Sequence, residues 1–512
     1  MIEMKKIICV ILSVIMLLSV CACSKGGEEE TTQAQENEEQ DDSFEETKPS
    51  SNAKANFTLP YSESDSLNPY LSKTQINRAI TSLLYDSLYC LDESFKAVPV
   101  IAQSAEISGV NVVVTLKENA VFSDSTSLNA TDVVYSFNTA KESERYSEPL
   151  GNILSATATE KYKVRFTLEK PDSFVSNILT FPIIEYGSAG DNVPLGSGRY
   201  YFSSKKLSYN KNHISGVKPS IKSVYLFPLS EGTNFVDALQ IGNISMIFRD
   251  LSDCDIKRAA AQNVAVTLNN IVYLGVNSKN AVLKDEAVRR AINLSIDKDS
   301  IVSADYQGYA VRTESPFNPL WSESSKSESV FDQSAAVGIL EENGYTYASG
   351  TDKYRSDKKG KSIELKILVS GDNEFRREAA QSIAKNLTQI GIGAEVVPVG
   401  FKKFKERVKE GKYDLYLGEV KLCENMSLSP FFEKSGKARY GIELKSDIVS
   451  SYEKLLSGKI TVPEFEKEFS AAPAFIPVCF RQGVVIASNT ISDNIISTST
   501  DIFSNISEWK MN

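Results

Sequence analysis

Hydrophobic and polar positions follow two periods along this chain, and the alternation between them outlines an α/β protein. Between 110 and 116, Val112, Val114 and Leu116 share one face at a period of two, which predicts a strand and half of a hairpin. The same period recurs over 57–61, 162–168 and 222–227. Helical spacing appears over 76–91, where Ile80, Leu83, Leu84, Ser87 and Leu88 fall on one side. Asn129 opens another helix, with Asp132 placed for a capping box and Val133, Val134, Phe137 and Ala140 inward. Further on, Ile271, Tyr273 and Gly275 alternate against Val272, Leu274 and Val276, a strand preceded by another over 264–268. Asn277 and Ser278 end it in a polar turn, and Asp285 caps a helix. That helix puts Ala287, Val288, Ala291, Ile292, Ser295 and Ile296 inward and Arg289, Arg290 and Asn293 in water.

The second half alternates more regularly. A helix is predicted over 334–345, stopping at Gly344. Strands over 363–369, 394–399 and 413–418 enclose helices over 374–390 and 401–410, the signature of a mostly parallel α/β lobe. A late apolar strand over 474–480 has the character of a return to the first lobe. Between the halves, Pro194-Leu195-Gly196-Ser197-Gly198-Arg199-Tyr200-Tyr201-Phe202 places two glycines around a serine, which permits positive φ or a close backbone approach. It matches neither a phosphate loop nor a nucleophile elbow.

The N-terminus changes the picture of compartment. Lys5 and Lys6 precede an apolar run from Ile7 to Val20, too short for a permanent span, and Val20-Cys21-Ala22-Cys23 resembles a bacterial lipobox with Cys23 as the lipidated residue. Residues 28–51 hold ten acids and one lysine, so they form an extended acidic spacer without a core. That spacer carries −9 and residues 1–27 carry +2 of the chain's total of −10, which leaves residues 52–512 at only about −3. The body therefore has no basic stripe for nucleic acid. About 460 residues remain, enough for two or more domains.

Candidate chemistry is sparse. His213 is the single histidine, which argues against histidine-based triads and multi-histidine metal sites; it reads as an ordinary surface or loop residue. Cys90, Cys254, Cys423 and Cys479 show no CxxC spacing, so no zinc or redox motif is indicated. Trp321, in Pro316-Phe317-Asn318-Pro319-Leu320-Trp321, reads as a packed loop anchor. A carboxylate-pair hydrolase has no motif in its favour.

The order of the motifs resembles the extracellular solute-binding proteins of the oligopeptide/dipeptide/nickel class, family 5, which serve ABC importers. The residues that carry the resemblance are Ser66-Leu67-Asn68-Pro69, Val112 to Lys117 with Val121-Phe122-Ser123-Asp124, Asn129 to Phe137, the Leu195-Gly196-Ser197-Gly198-Arg199-Tyr200 loop, the 272–301 stretch, 335–345 and Phe475-Ile476-Pro477. The resemblance implies a two-lobed, periplasmic-binding-protein-like α/β fold of class II, with an extra subdomain in lobe one and a ligand cleft between lobes. The expected division is a lipoprotein signal over 1–22, Cys23 and the acidic linker over 23–55, lobe one over 56–268 with a subdomain over 73–190, lobe two over 269–473, and a return over 474–512. It implies a lipid-anchored monomer on the outer face of the cytoplasmic membrane. Such a protein captures a small solute, a peptide by preference, by lobe closure and passes it to the permease. It would be neither an enzyme nor a holder of a cofactor or metal. A metal chelate, a sugar or a sensing role on the same fold are the alternatives. Candidate ligand residues are Asn68, Tyr85, Asn277, Glu419, Lys421 and Asn425. The sequence departs from the family pattern in three places. Ser125 stands where glycine is usual. Ser197 and Arg199 replace threonine and proline. The segment after Asp414 lacks the tryptophan and the amine-pairing aspartate of peptide binders, with Glu419 or Glu424 as possible substitutes and Lys421 beside them.

Overall fold

A computed structural model describes residues 56–512, apart from 230–233, 257–259, 327 and 493; the expected signal, Cys23 and the acidic linker lie outside the described residues. Two long strands, Gln262–Val276 and Ile476–Ala487, form the spine of a seven-stranded sheet. They run antiparallel in two stretches, Gln262–Thr267 against Gln482–Ala487 and Ile271–Leu274 against Ile476–Phe480, with a register shift between them. The strand expected over 264–268 and the one beginning at 271 are thus a single strand carrying an irregularity. Such an interruption bends a ladder and raises its twist. Here it is pinned by side chains. Asn269 is buried and donates through Nδ2 to Leu422 O and Cys423 O (3.4 and 2.8 Å), while Asn318 Nδ2 donates to Leu268 O and to Asn269 Oδ1 (both 3.3 Å).

Beyond the bend the spine is flanked by Leu415–Lys421, then Glu364–Ser370, then Gly393–Val399. These last three run parallel, connected through helices Glu374–Gln389 and Phe401–Lys409, so the strand–helix alternation yields the expected parallel block. On the other side of the bend Met246–Arg249 pairs with Val484–Ala487. A four-stranded sheet there has the order Thr58–Tyr61, Ser223–Pro228, Lys206–Tyr209, Tyr200–Ser203. An antiparallel sheet of Ala102–Ser108, Asn111–Leu116, Lys163–Leu168 and Ile153–Glu160 lies between these in the chain and packs against helix Ala130–Glu142. That helix has the full capping box, with Asn129 and Asp132 each serving the other's backbone N–H. Trp509 is fully buried against Phe57, ring centroids 5.9 Å apart.

Two expectations change. The helix predicted over 76–91 ends at Leu84, and Tyr89–Leu91 is a strand. The cause is the glycine loop. Gly198 N–H donates to Leu84 O (3.0 Å), and the backbone passes so close that a Cβ built on Gly198 would lie 2.4 Å from Leu84 C. Neither Gly196 nor Gly198 has positive φ, so close approach is what that loop requires. Second, Arg289 does not point to water. Its guanidinium folds back to Pro473 O, Leu283 O and Lys284 O (2.9, 3.1 and 2.8 Å).

The departures at 125 and 199 have structural readings. Ser125 adopts φ of 81°, the left-handed region that glycine favours, and its Oγ accepts from Asn212 Nδ2 (2.9 Å). Arg199 pairs with Asp501 (2.5 Å) and donates to Phe503 O, Ser504 O and Ser82 O, which ties the C-terminal segment to the end of helix Gln75–Leu84.

Candidate binding cleft

The early end of that helix opens a cavity. The chain leaves the helix axis after Leu84, and Tyr85–Ser87, Tyr89–Leu91, Tyr146, Arg199, His213, the segment Lys421–Glu424, Ser499–Asp501 and Ser504 line a space of about 380 Å³. This lies within the usual range for small-molecule sites. Its walls come from both sides of the bend in the spine. A second space of about 330 Å³ shares Glu148, Pro149 and Cys423 with the first and runs past Lys170, Asp172, Asn425 and Tyr452.

Contacts bridge the rim. Lys170 pairs with Glu433 (2.8 Å) and Lys437 with Glu148 (2.6 Å), all four well exposed. Asn425 Nδ2 donates to Asp172 Oδ2 (2.7 Å), and Asn177 Nδ2 donates to Phe95 O and Glu424 O (2.7 and 3.2 Å). Ser173 N–H donates to Leu456 O (3.0 Å), and Trp321 meets Phe174 edge-on at 4.8 Å. Asp172 is buried, and burial raises its carboxyl above the ordinary carboxylate range against the lowering effect of its bonds from Phe174 N–H and Asn425.

Several features of the main cavity are chemically informative. Arg145 lies over the Tyr146 ring at 5.2 Å, and its buried Nη1 has no acceptor among the described residues. Asp86 Oδ2 is also buried without a hydrogen bond, although His213 Nε2 stands 3.3 Å from it. His213, expected as a surface or loop residue, has a side chain only 9% exposed. Burial also raises the Tyr85 and Tyr146 hydroxyls above their ordinary range, so both are neutral donors. Cys423 is pushed up to about 12 by burial, which makes it an unreactive thiol.

The six residues singled out in the sequence do not converge. Tyr85 and Lys421 line the main cavity and Asn425 the second one. Tyr85 donates to Pro194 O (3.2 Å), and Lys421 is exposed and loosely paired with Glu424 (3.7 Å). The other three lie outside both cavities. Asn68 is fully buried and holds Ala189 O, Asp191 O and Tyr70 N–H. Asn277 caps its turn and donates to Tyr413 O (2.8 Å). Glu419 accepts from Asn270 Nδ2 (2.8 Å) and Arg481 Nε (2.7 Å). The sequence did not signal Asp86 and His213 as a pair, because they meet across 127 positions, and Arg145, stacked on the adjacent Tyr146, belongs to no motif. Among the described residues no group of three or more metal-ligating side chains is gathered, and the four described cysteines are free.

Residues 96–421 match the family model for bacterial extracellular solute-binding proteins, family 5. The chain belongs to this family. Family 5 proteins bind solutes outside the cytoplasm and are not enzymes. The chain is similar to the oligopeptide-binding protein AppA of Bacillus subtilis, 25% identical over 68% of this chain and 69% of that protein. It is also similar to the glutathione-binding protein GsiB of Escherichia coli, 24% identical over 64% of this chain and 66% of that one. Among solved structures, a nickel ABC transporter protein from Bacillus halodurans shares the fold with a TM-score of 0.71, at 19% identity and over 88% of this chain and 98% of that one. The two-lobed α/β fold of family 5 is therefore the fold of this chain, and no described helix is long and apolar enough to cross a membrane.

Proposed function

We propose that this family 5 protein captures a short peptide in the cavity between its lobes and hands it to the permease of an ABC importer. One observation carries the reading. The same cavity wall holds a buried guanidinium N–H and a buried carboxylate oxygen, both without hydrogen-bond partners among the described residues. Leaving such groups unpaired costs free energy, and a zwitterionic solute satisfies both at once. The oligopeptide- and glutathione-binding relatives support this choice over a sugar.

In this proposal lobe one covers 56–268 with its inserted subdomain at 73–190, lobe two covers 269–473, and 474–512 returns to lobe one. The bend at 268–270 is the hinge, and solute binding shifts the population towards the form with rim contacts made. Tyr85, Lys421 and Asn425 face the solute; Asn68, Asn277 and Glu419 hold the scaffold. Cys23 carries the lipid, and the acidic segment tethers the body near the permease, which raises its local concentration there.

The test is a thermal-shift screen of the purified protein against di- to octapeptides, sugars and metal chelates. Free peptides should raise Tm. A rise with a chelate or sugar and none with any peptide would overturn the assignment.

A further inference from the structure

Asp86 is a nearly buried carboxylate at the wall of the main cavity, and its side-chain partner is His213. Its side chain is 10% exposed at the point where the chain leaves helix Gln75–Leu84, held there by the bond from Ile183 N–H to Asp86 O (2.8 Å). His213 is the only side chain that reaches it among the described residues, with Nε2 3.4 Å from Oδ1. The ring is fixed from its other side. Ser215 Oγ sits 2.7 Å from Nδ1, and Ser215 N–H donates to Nδ1 (3.4 Å). An Nδ1 that accepts places the proton of the neutral imidazole on Nε2, pointing at Asp86.

Neither guanidinium lining the cavity is bonded to Asp86: Arg145 Nη1 has no acceptor among the described residues, and the other is engaged elsewhere. Arg199 is bound to Asp501 and to three backbone carbonyls. A carboxylate among the lining residues of a cavity, with a single histidine as its side-chain partner among the described residues, offers an acceptor to a cation from outside. One histidine and one carboxylate are too few ligands for a metal ion, whereas a primary ammonium needs one strong acceptor and fits as a compact charge.

We propose that Asp86, oriented by His213, is the subsite that takes the ammonium group of the solute, from the lobe-one side of the cleft. This rests on the peptide reading above and assigns the amine end to a residue outside the 419–425 segment. Glu419 is consumed by Arg481 and Asn270, which leaves that position without the free charge the role requires.

The experiment is calorimetric titration of the purified protein with a pool of di- to octa-alanine peptides and with the same pool N-acetylated. The unmodified protein should prefer the free amines by about tenfold or more, and Asp86→Asn and Asp86→Ser should erase the preference. Because His213 is the only histidine, its ring resonances give a readout on the unaltered protein. They should shift on adding the free pool and stay in place with the acetylated one. Binding that keeps its preference for the free amine in both variants, or that leaves His213 unmoved, overturns the subsite and leaves the peptide reading intact. Failure of both pools to bind the unmodified protein overturns the two together.

Discussion

Replacing Gly198 by alanine tests whether the glycine loop shapes the cavity through close packing. A Cβ there would sit 2.4 Å from Leu84 C, 2.6 Å from Leu83 O and 2.6 Å from Tyr85 N. All three are backbone atoms at the end of a helix, so no rotamer change relieves the clash, and separations must grow by about 1 Å. Overpacking of this kind costs about 1–3 kcal/mol. The shift also strains two hydrogen bonds, Gly198 N–H to Leu84 O (3.0 Å) and Asn210 Nδ2 to Gly198 O (2.8 Å). Each contributes about 1 kcal/mol. Alanine returns about 0.5–1 kcal/mol by restricting the unfolded chain. The expected net loss is roughly 2–4 kcal/mol, read from urea unfolding followed by far-UV circular dichroism. Tyr85 and Asp86 directly follow the displaced segment, so solute affinity should fall with stability. A Gly198→Ala protein within about 0.5 kcal/mol of the parent, with unchanged affinity, would refute the close-approach account.

Three further outcomes are expected. Arg145→Gln should weaken binding of carboxylate-bearing solutes by roughly 10–100-fold in titration calorimetry, since a hydrogen bond to a charged group contributes about 1.5–3 kcal/mol; unchanged affinity would remove Arg145 from the site. Glu314→Ala should cost about 3–5 kcal/mol in urea unfolding, because it strands Lys298, which is fully buried and bonded to that carboxylate, in a site whose desolvation already lowers the lysine's pKa. For Asp172, the buried carboxyl has a raised pKa, so its protonated form favours the rim-closed state. That contribution is complete below the ordinary carboxylate pKa of about 4 and is lost as pH rises through the raised value. Small-angle scattering of the solute-free protein should therefore show compaction as pH falls from neutral, and Asp172→Asn should flatten the dependence. The exposed Lys170–Glu433 and Lys437–Glu148 pairs contribute little and respond alike in both proteins.

Local periodicity made most elements legible. The 374–390 helix and the strands around it fell within a residue or two of Glu374–Gln389, Glu364–Ser370 and Gly393–Val399, because each element's apolar face is written in consecutive residues. The Asn129 capping box was readable for the same reason. Helical spacing misled over 76–91. Ser87 and Leu88 keep the period, yet the helix is cut at Leu84 by a loop more than a hundred residues later. A tertiary contact overrode local propensity there, and it formed the cavity in doing so. The site was illegible for a related cause. Asp86 meets His213 across 127 positions and Asp172 meets Asn425 across 253. Asn68 and Asn277 are polar residues in turns, and their amides are occupied by backbone carbonyls 121 and 136 positions away, Ala189 O and Tyr413 O. The two glycines of the 196–198 loop pointed to a special backbone, although nothing local distinguished positive φ from close approach.

A zwitterionic solute held in the cleft between Arg145 and Asp86 should stay with the protein through a gentle purification. Native mass spectrometry of protein purified without denaturant, followed by release and sequencing of any bound species, tests it most directly. The expected result is a retained adduct with a free amine and a free carboxylate, lost from Arg145→Gln and Asp86→Asn. An adduct lacking either charge, or one retained undiminished by both variants, would contradict it.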